Sequence, residues 1–206
     1  MFSMRLLLLS LGMGALLDLL DDPPGEVNVA FVPTAGHPYE DASFVELDRR
    51  KLIDHGFDLT ELDLKGRSRE DLEAALADVD VVYVAGGNTF YLLEQVRASG
   101  FDELLPRLLE RGVLYVGVSA GAAILGPDIG PYAEFDDPDA APALSSHSGL
   151  GLVDFLVIPH YDNEKFRPMF DELMQREADR FEFRPLHDDQ AILLDGGRAP
   201  QVIDSP

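Results

Sequence analysis

The pentapeptide Gly117-Val118-Ser119-Ala120-Gly121 follows the apolar run VLYVG and precedes the helix-compatible AAIL. Small residues on both sides of the serine let a chain turn sharply from strand to helix and leave the hydroxyl standing above the sheet, the nucleophile-elbow arrangement. The helix that starts there would aim N–H groups and a positive dipole end at the same point. The plainer alternative is a tight turn whose serine only caps the helix.

A second cluster, Ala85-Gly86-Gly87-Asn88-Thr89, stands between the run VVYV and the helical FYLLEQV. Ligands of open α/β sheets collect at such strand ends. The glycines let the backbone approach a reacting carbonyl, so a glycine amide here and the Ala120 amide could hold an oxyanion while Asn88 orients substrate. A Gly-Gly turn capped by Asn88 or Thr89 is the competing reading.

A serine nucleophile needs a base and the chain offers five histidines. His160 ends the run FLVIP and opens into Tyr161-Asp162-Asn163, so it converges on the same rim. His187, beside Asp188, competes, whereas His37, His55 and His147 read as surface or capping residues. The carboxylate that would orient the imidazole is open at this level. Asp188 and Asp189 precede AILL, and Asp128, Glu134, Asp136 and Asp137 lie in the long segment after the serine.

These residues need a scaffold with strand ends on one rim. Apolar runs at Arg5–Ser10, Val27–Val32, Asp58–Asp63, Val81–Val84, Val113–Gly117, Phe155–Ile158 and Ala191–Leu194 alternate with helical patterns. The helices are expected at Ala42–His55, Arg69–Ala77, Thr89–Ala98, Phe101–Arg111 and Glu164–Arg180. The pattern predicts an α/β fold, a three-layer sandwich with a mostly parallel central sheet, in a single domain over residues 1–206. Gly126–Leu150, rich in Pro, Gly, Asp and Ser, reads as a long functional or mobile loop. The ending GGRAPQVIDSP reads as a turn, a short extended piece and a tail.

Composition narrows the chemistry. The 206 residues carry no cysteine, which removes thiolate nucleophiles, disulfides and iron–sulfur clusters. Sixteen Lys plus Arg against 38 Asp plus Glu give a net charge of -22, a field that repels nucleic acid and anionic membranes. With three lysines, Lys51, Lys65 and Lys165, the acidity reads as an organism signature.

The N-terminal MFSMRLLLLSLGMGALLDLLDD resembles a short signal peptide, but Asp18, Asp21 and Asp22 enter early and no small-x-small cleavage site follows, favouring a buried strand and helix in a cytoplasmic protein. Gly12-Met13-Gly14 imitates a dinucleotide fingerprint, yet Leu17 occupies the third small position. No phosphate-binding G-x-x-x-x-G-K-[ST] loop or H-x-x-x-H pair occurs, so the expectation is an enzyme without cofactor or metal.

Taken together, MRLLLLS, VYVAGGNTFYLLEQV, GVLYVGVSAGA and VIPHYDNE, in this order, resemble the peptidase E (aspartyl dipeptidase) family of serine peptidases, related to cyanophycinase. The resemblance covers nearly the whole chain. It implies a class I glutamine amidotransferase-like fold with serine in place of cysteine, Ser119 as nucleophile, His160 as base, and Gly87 and Ala120 amides in the oxyanion hole. It points to Asp188 as the acid, where peptidase E has a Glu, with Asp189 the alternative. The family's arginine that reads an N-terminal Asp aligns with Phe166, one residue before Arg167, so a preference for N-terminal Asp is not carried over.

The expectation is therefore hydrolysis of small peptides, with Gly86, Asn88 and Arg167 near the substrate. A homodimer is one arrangement the sequence leaves open. Two rivals remain: an α/β-hydrolase esterase using Ser119, an acid such as Asp136 and His187, and a non-catalytic binding module of the same fold.

Overall fold

The computed structural model describes residues 4–206, so residues 1–3 of the first apolar segment lie outside the described residues. In chain order the elements are β1 (Arg5–Leu9), α1 (Gly14–Asp18), β2 (Asn28–Val32), α2 (Ser43–Asp54), β3 (Asp58–Glu61), α3 (Arg69–Ala75), β4 (Val81–Val84) and α4 (Thr89–Ser99). They continue with α5 (Phe101–Glu110), β5 (Leu114–Val118), α6 (Ala120–Ala123), β6 (Phe155–Ile158), α7 (Arg167–Glu177), β7 (Glu182–Pro185), β8 (Gln190–Asp195) and β9 (Gln201–Asp204).

The main sheet runs β3-β2-β4-β5-β1-β8-β9. Its first five strands are mutually parallel, and β8 and β9 add an antiparallel edge. The central strands are apolar on both faces because both are covered. In β1, Leu6 and Leu8 join the core with α4 and α5, while Leu7 and Leu9 join the core with α1 and α2. This gives the expected three layers.

Three features depart from the sequence reading. β6 pairs with β7 in a separate two-stranded parallel sheet, so the strand before His160 is not part of the main sheet. β7 escaped detection because EFRP is short, charged and partly exposed, without the apolar run of a buried strand, whereas the short extended piece expected in the ending is β9, QVID. Gly126–Leu150 is not an irregular loop throughout: it contains 3-10 turns at Gly130–Glu134 and Pro138–Ala140 and an Asp128–Ser148 bridge. Buried Ile129 and Tyr132 tie it down, the Tyr132 hydroxyl donating to the Val157 carbonyl at 2.7 Å.

The Gly12 and Gly14 pair serves packing. A Cβ on Gly12 would lie 1.8 Å from the Ser205 carbonyl oxygen, and the buried Ser205 hydroxyl donates to the Gly12 carbonyl at 2.8 Å. Among the described residues no helix is long and apolar enough to cross a membrane.

Candidate active site

Ser119 joins β5 to α6 at φ 48 and ψ -105, where a residue with a Cβ stays only under constraint. The flanking glycines make the turn sterically possible. A Cβ on Gly117 would stand 2.4 Å from the Gly121 carbonyl oxygen, and one on Gly121 2.4 Å from that of Val84. The buried Tyr115 hydroxyl donates to the Gly121 carbonyl at 2.7 Å, and the Ser119 amide donates to the Leu9 carbonyl at 3.0 Å. The turn is thus fastened to β4, β5 and β1. Because α6 is a single turn of four residues, the macrodipole expected behind the serine is small.

His160 also has positive φ, at 59°. Its amide donates to Ser10 Oγ at 2.7 Å, and Ser10 Oγ donates to Asp188 Oδ1 at 2.9 Å. The His160 ring lies between the other two groups, with Nδ1 2.6 Å from Asp188 Oδ1 and Nε2 3.2 Å from Ser119 Oγ. A carboxylate only accepts, so the Nδ1–H donates to Asp188 and the Nε2 lone pair faces the serine hydroxyl. The arrangement can move a proton from Ser119 Oγ to an oriented imidazole.

Topology brings these groups together. β5 and β1 end at one rim of the sheet, and β8, being antiparallel to β1, begins there. Asp188 is further fixed by its amide donating to Asp162 Oδ1 at 3.1 Å and its carbonyl accepting from the Gly12 amide at 2.8 Å. Asp189 is exposed, with its carbonyl taking the Ser205 amide at 2.7 Å.

Gly87 and Ala120 border the same cleft as Ser119 and His160. Gly87 has φ 144, and a Cβ there would stand 2.1 Å from the Ala35 carbonyl oxygen, so only glycine fits. Ala120 opens α6 and Gly87 lies between β4 and α4, so neither amide has a ladder or intrahelical acceptor. Among the described residues neither donates to a loop carbonyl.

Asn88 and Arg167, expected beside the substrate, do not border the cleft. The buried Asn88 side chain caps α4 by accepting from the Tyr91 amide at 2.8 Å and donates to the Asp137 carbonyl at 2.9 Å. Arg167 is exposed, with its guanidinium 5.1 Å from the centre of the Tyr161 ring. Phe166 turns into the cleft in its place.

The other histidines lie outside the cleft. His187 stacks on Tyr161 at 6.2 Å and is exposed, and His147 packs edge-on against Phe90 at 5.1 Å. Of the loop acids, Asp128 accepts from the Gly130 amide, Asp137 from the Asp139 amide, and Glu134 pairs with Arg176. Asp136 alone of these faces the cleft.

The cleft holds about 320 Å³ and is walled by aromatic rings, among them Tyr39, Phe44, Tyr132, Phe135, Phe166 and Phe170. Its acidic side chains are Asp48 and Asp136, and no Lys or Arg lines it among the described residues. Burial pushes the Asp136 carboxyl up, opposed by hydrogen bonds from Thr89 and Tyr39 and by the nearby His160. Burial and the Asp136 charge push the Tyr39 phenol up to about 12. Burial also lifts Asp48 to about 6, opposed by Lys51 and by the Tyr83 hydroxyl, which lies nearby but outside hydrogen-bond geometry. No group of three or more metal-ligating His, Asp or Glu side chains occurs among the described residues.

Ser10 and Asp48 were not singled out as site residues by sequence reasoning, and Asp136 entered it only as one of several loop acids and as an example of the acid in the rival esterase reading. Ser10 carried one usable signal, its place at the end of a buried strand.

The family model of Peptidase family S51 matches residues 10–202. The chain is 35% identical over 166 residues to the uncharacterized peptidase Lin0382 of Listeria innocua, covering 81% of this chain and 79% of that protein. It is 33% identical over 194 residues to the uncharacterized peptidase PM1590 of Pasteurella multocida, covering 93% and 94%. The crystal structure of a candidate peptidase E from Listeria monocytogenes EGD-e superposes with TM-score 0.90 at 30% identity over 98% of each chain.

Proposed function

The chain belongs to Peptidase family S51 and is a serine peptidase, and from that premise we propose that it hydrolyses small peptides, dipeptides above all, through an acyl-enzyme on Ser119. His160 acts as general base and Asp188 holds the imidazole in the required tautomer. The observation that carries this reading is the continuous relay from Ser119 Oγ through both His160 nitrogens to Asp188, at 3.2 and 2.6 Å.

In this mechanism Nε2 of His160 takes the Ser119 proton as Oγ attacks the scissile carbonyl carbon. The carbonyl oxygen becomes an oxyanion facing the Gly87 and Ala120 amides, which supply two discrete hydrogen bonds in place of a long helix dipole. The imidazolium, paired with Asp188, then protonates the leaving amine as the C–N bond breaks. Water, deprotonated by His160, attacks the acyl-serine, and the acid product leaves as the proton returns to Ser119. A cleft of about 320 Å³ suits a short peptide.

The esterase rival draws no support, because His187 stands outside the cleft on Tyr161. The test is a dipeptide panel together with a fluorophosphonate probe on the native protein and Ser119→Ala. The native protein should hydrolyse dipeptides and label, and the variant should do neither while keeping its circular dichroism spectrum. Dipeptide hydrolysis by the variant would sink the assignment.

A further inference from the structure

The cleft straddles the end of the sheet. Tyr132, Phe135 and Phe170 belong to the core that holds α4 and α5, whereas Val118 and Phe44 belong to the core that holds α1 and α2. Ser119 lies between these two lobes, so a peptide attacked there sends its two halves to opposite faces. The lobe on the α2 side begins at Ser10, whose hydroxyl accepts from the His160 amide, and runs past Leu11 and Phe44 to Asp48. It opens beside the base that protonates the leaving nitrogen, which is the side of the residue after the scissile bond.

Asp48 closes this lobe as an unpaired carboxylate. It is 3% exposed and yet borders the cleft. Among the described residues no hydrogen bond or ion pair reaches its oxygens: neighbouring Arg49 is taken by Glu46 and Glu61, and the buried Tyr83 hydroxyl stands outside hydrogen-bond geometry. Lys51, further along α2, acts on it only at longer range. A buried carboxylate without a partner costs free energy. Burial lifts its pKa only to about 6, so at neutral pH it is an anion.

The walls before it suit a long cationic side chain. Leu11, 40% exposed, and Phe44, edge-on to Tyr39 at 5.5 Å, offer apolar and aromatic surface to a methylene stem, with the carboxylate at its end. In a dipeptide the second residue also carries the terminal carboxylate, and no Lys or Arg lines the cleft to meet it among the described residues. A basic side chain leaves that residue with no net charge, whereas an acidic one turns it into a dianion facing Asp48.

Resting on the acyl-transfer reading above, we propose that Asp48 binds the cationic side chain of the residue after the scissile bond, so that the enzyme prefers small peptides with Lys or Arg at that position. The alternative is that Asp48 serves only the packing of α2 on Tyr83. The two are separated by comparing Leu-Lys with Leu-norleucine and Leu-Glu, and Lys-Leu with norleucine-Leu, on the native protein and Asp48→Asn, at low and high salt. The native protein should favour Leu-Lys over Leu-norleucine by about 10–100-fold in kcat/KM, the worth of one desolvated charge pair, and cut Leu-Glu least. Asp48→Asn should bring the ratio of Leu-Lys to Leu-norleucine close to one, mainly through KM. In the native protein the ratio should survive high salt, because a buried pair is screened little, whereas attraction by the net charge of -22 is screened.

No native preference for Leu-Lys, a preference for Lys confined to Lys-Leu, a ratio unchanged in Asp48→Asn, or a ratio abolished by salt would each overturn the proposal. A packing role alone would lower every substrate alike and leave the ratio where it was. The native comparison decides even if the variant misfolds. Fluorophosphonate labelling of Ser119 in the same samples distinguishes this failure from that of the acyl-transfer reading. Labelling without the Lys preference removes only the role of Asp48, whereas unlabelled but active protein removes the nucleophile.

Discussion

Nδ1 of His160 and Oδ1 of Asp188 are 2.6 Å apart, on the side of the ring opposite Ser119. The carboxylate thereby selects the tautomer whose Nε2 lone pair faces the serine. Asp188→Asn, which offers an amide donor or a weaker acceptor, should lower kcat by about 10³–10⁴-fold. Asp189→Asn should leave steady-state kinetics near native, because that side chain is exposed at the rim. A larger loss from Asp189→Asn than from Asp188→Asn would reverse the assignment.

Ser10 is a positioning residue. Its buried hydroxyl accepts from the His160 amide and donates to Asp188, so it holds both partners and the positive φ of His160 in register. Ser10→Ala leaves a backbone N–H and a carboxylate oxygen short of a partner, at about 1–3 kcal/mol. The expected result is a fall of about 10–100-fold in kcat with little change in KM; an unchanged kcat would remove Ser10 from the mechanism.

The adjacent glycines should separate fold from function. A Cβ on Gly87 collides with the Ala35 carbonyl in a backbone conformation that L-residues avoid, so Gly87→Ala should yield little folded protein. A Cβ on Gly86 meets Ser119 Cβ at 3.2 Å and Oγ at 3.9 Å without positive φ. Gly86→Ala should therefore fold, with a melting temperature close to native, and label slowly with fluorophosphonate. Native labelling rates in that variant would show that Gly86 does not shape the approach to Ser119.

Asp48 makes stability depend on pH. Its folded pKa of about 6 lies above the unfolded carboxylate value, so the native state binds the extra proton and stability falls as pH rises from about 4 through 6. The cost above that window is about 3 kcal/mol for this 3% exposed side chain. Asp48→Asn should gain stability relative to native at pH 8 and show little gain at pH 4, as measured by urea unfolding. A gain independent of pH would mean the charge of Asp48 is not what destabilises the fold.

The scaffold was legible because β1, β2, β4 and β5 are buried on both faces and are written as unbroken apolar runs. The Gly117–Gly121 motif was legible because close backbone contacts force its glycines, whatever the remote sequence does. Ser10 was hidden because its partners lie 150 and 178 residues away. Arg167 misled because one position decides the facing at the start of α7: Phe166 turns inward and Arg167 outward onto Tyr161. Asn88 misled because a residue that caps a helix and one that meets a ligand look alike at a strand end.

The reversal of β8 against β1 also bears on when the enzyme becomes active during synthesis. Asp188 precedes β8, which pairs with β1 from the other end of the described chain, and His160 follows β6, whose partner β7 also comes after Ser119 in the sequence. At about 5–20 residues per second, several seconds separate emergence of the serine from emergence of the acid. On the mechanism proposed above, a nascent chain that carries Ser119 but neither His160 nor Asp188 would have an unassisted hydroxyl, so efficient peptide hydrolysis would wait until β8 has paired with β1.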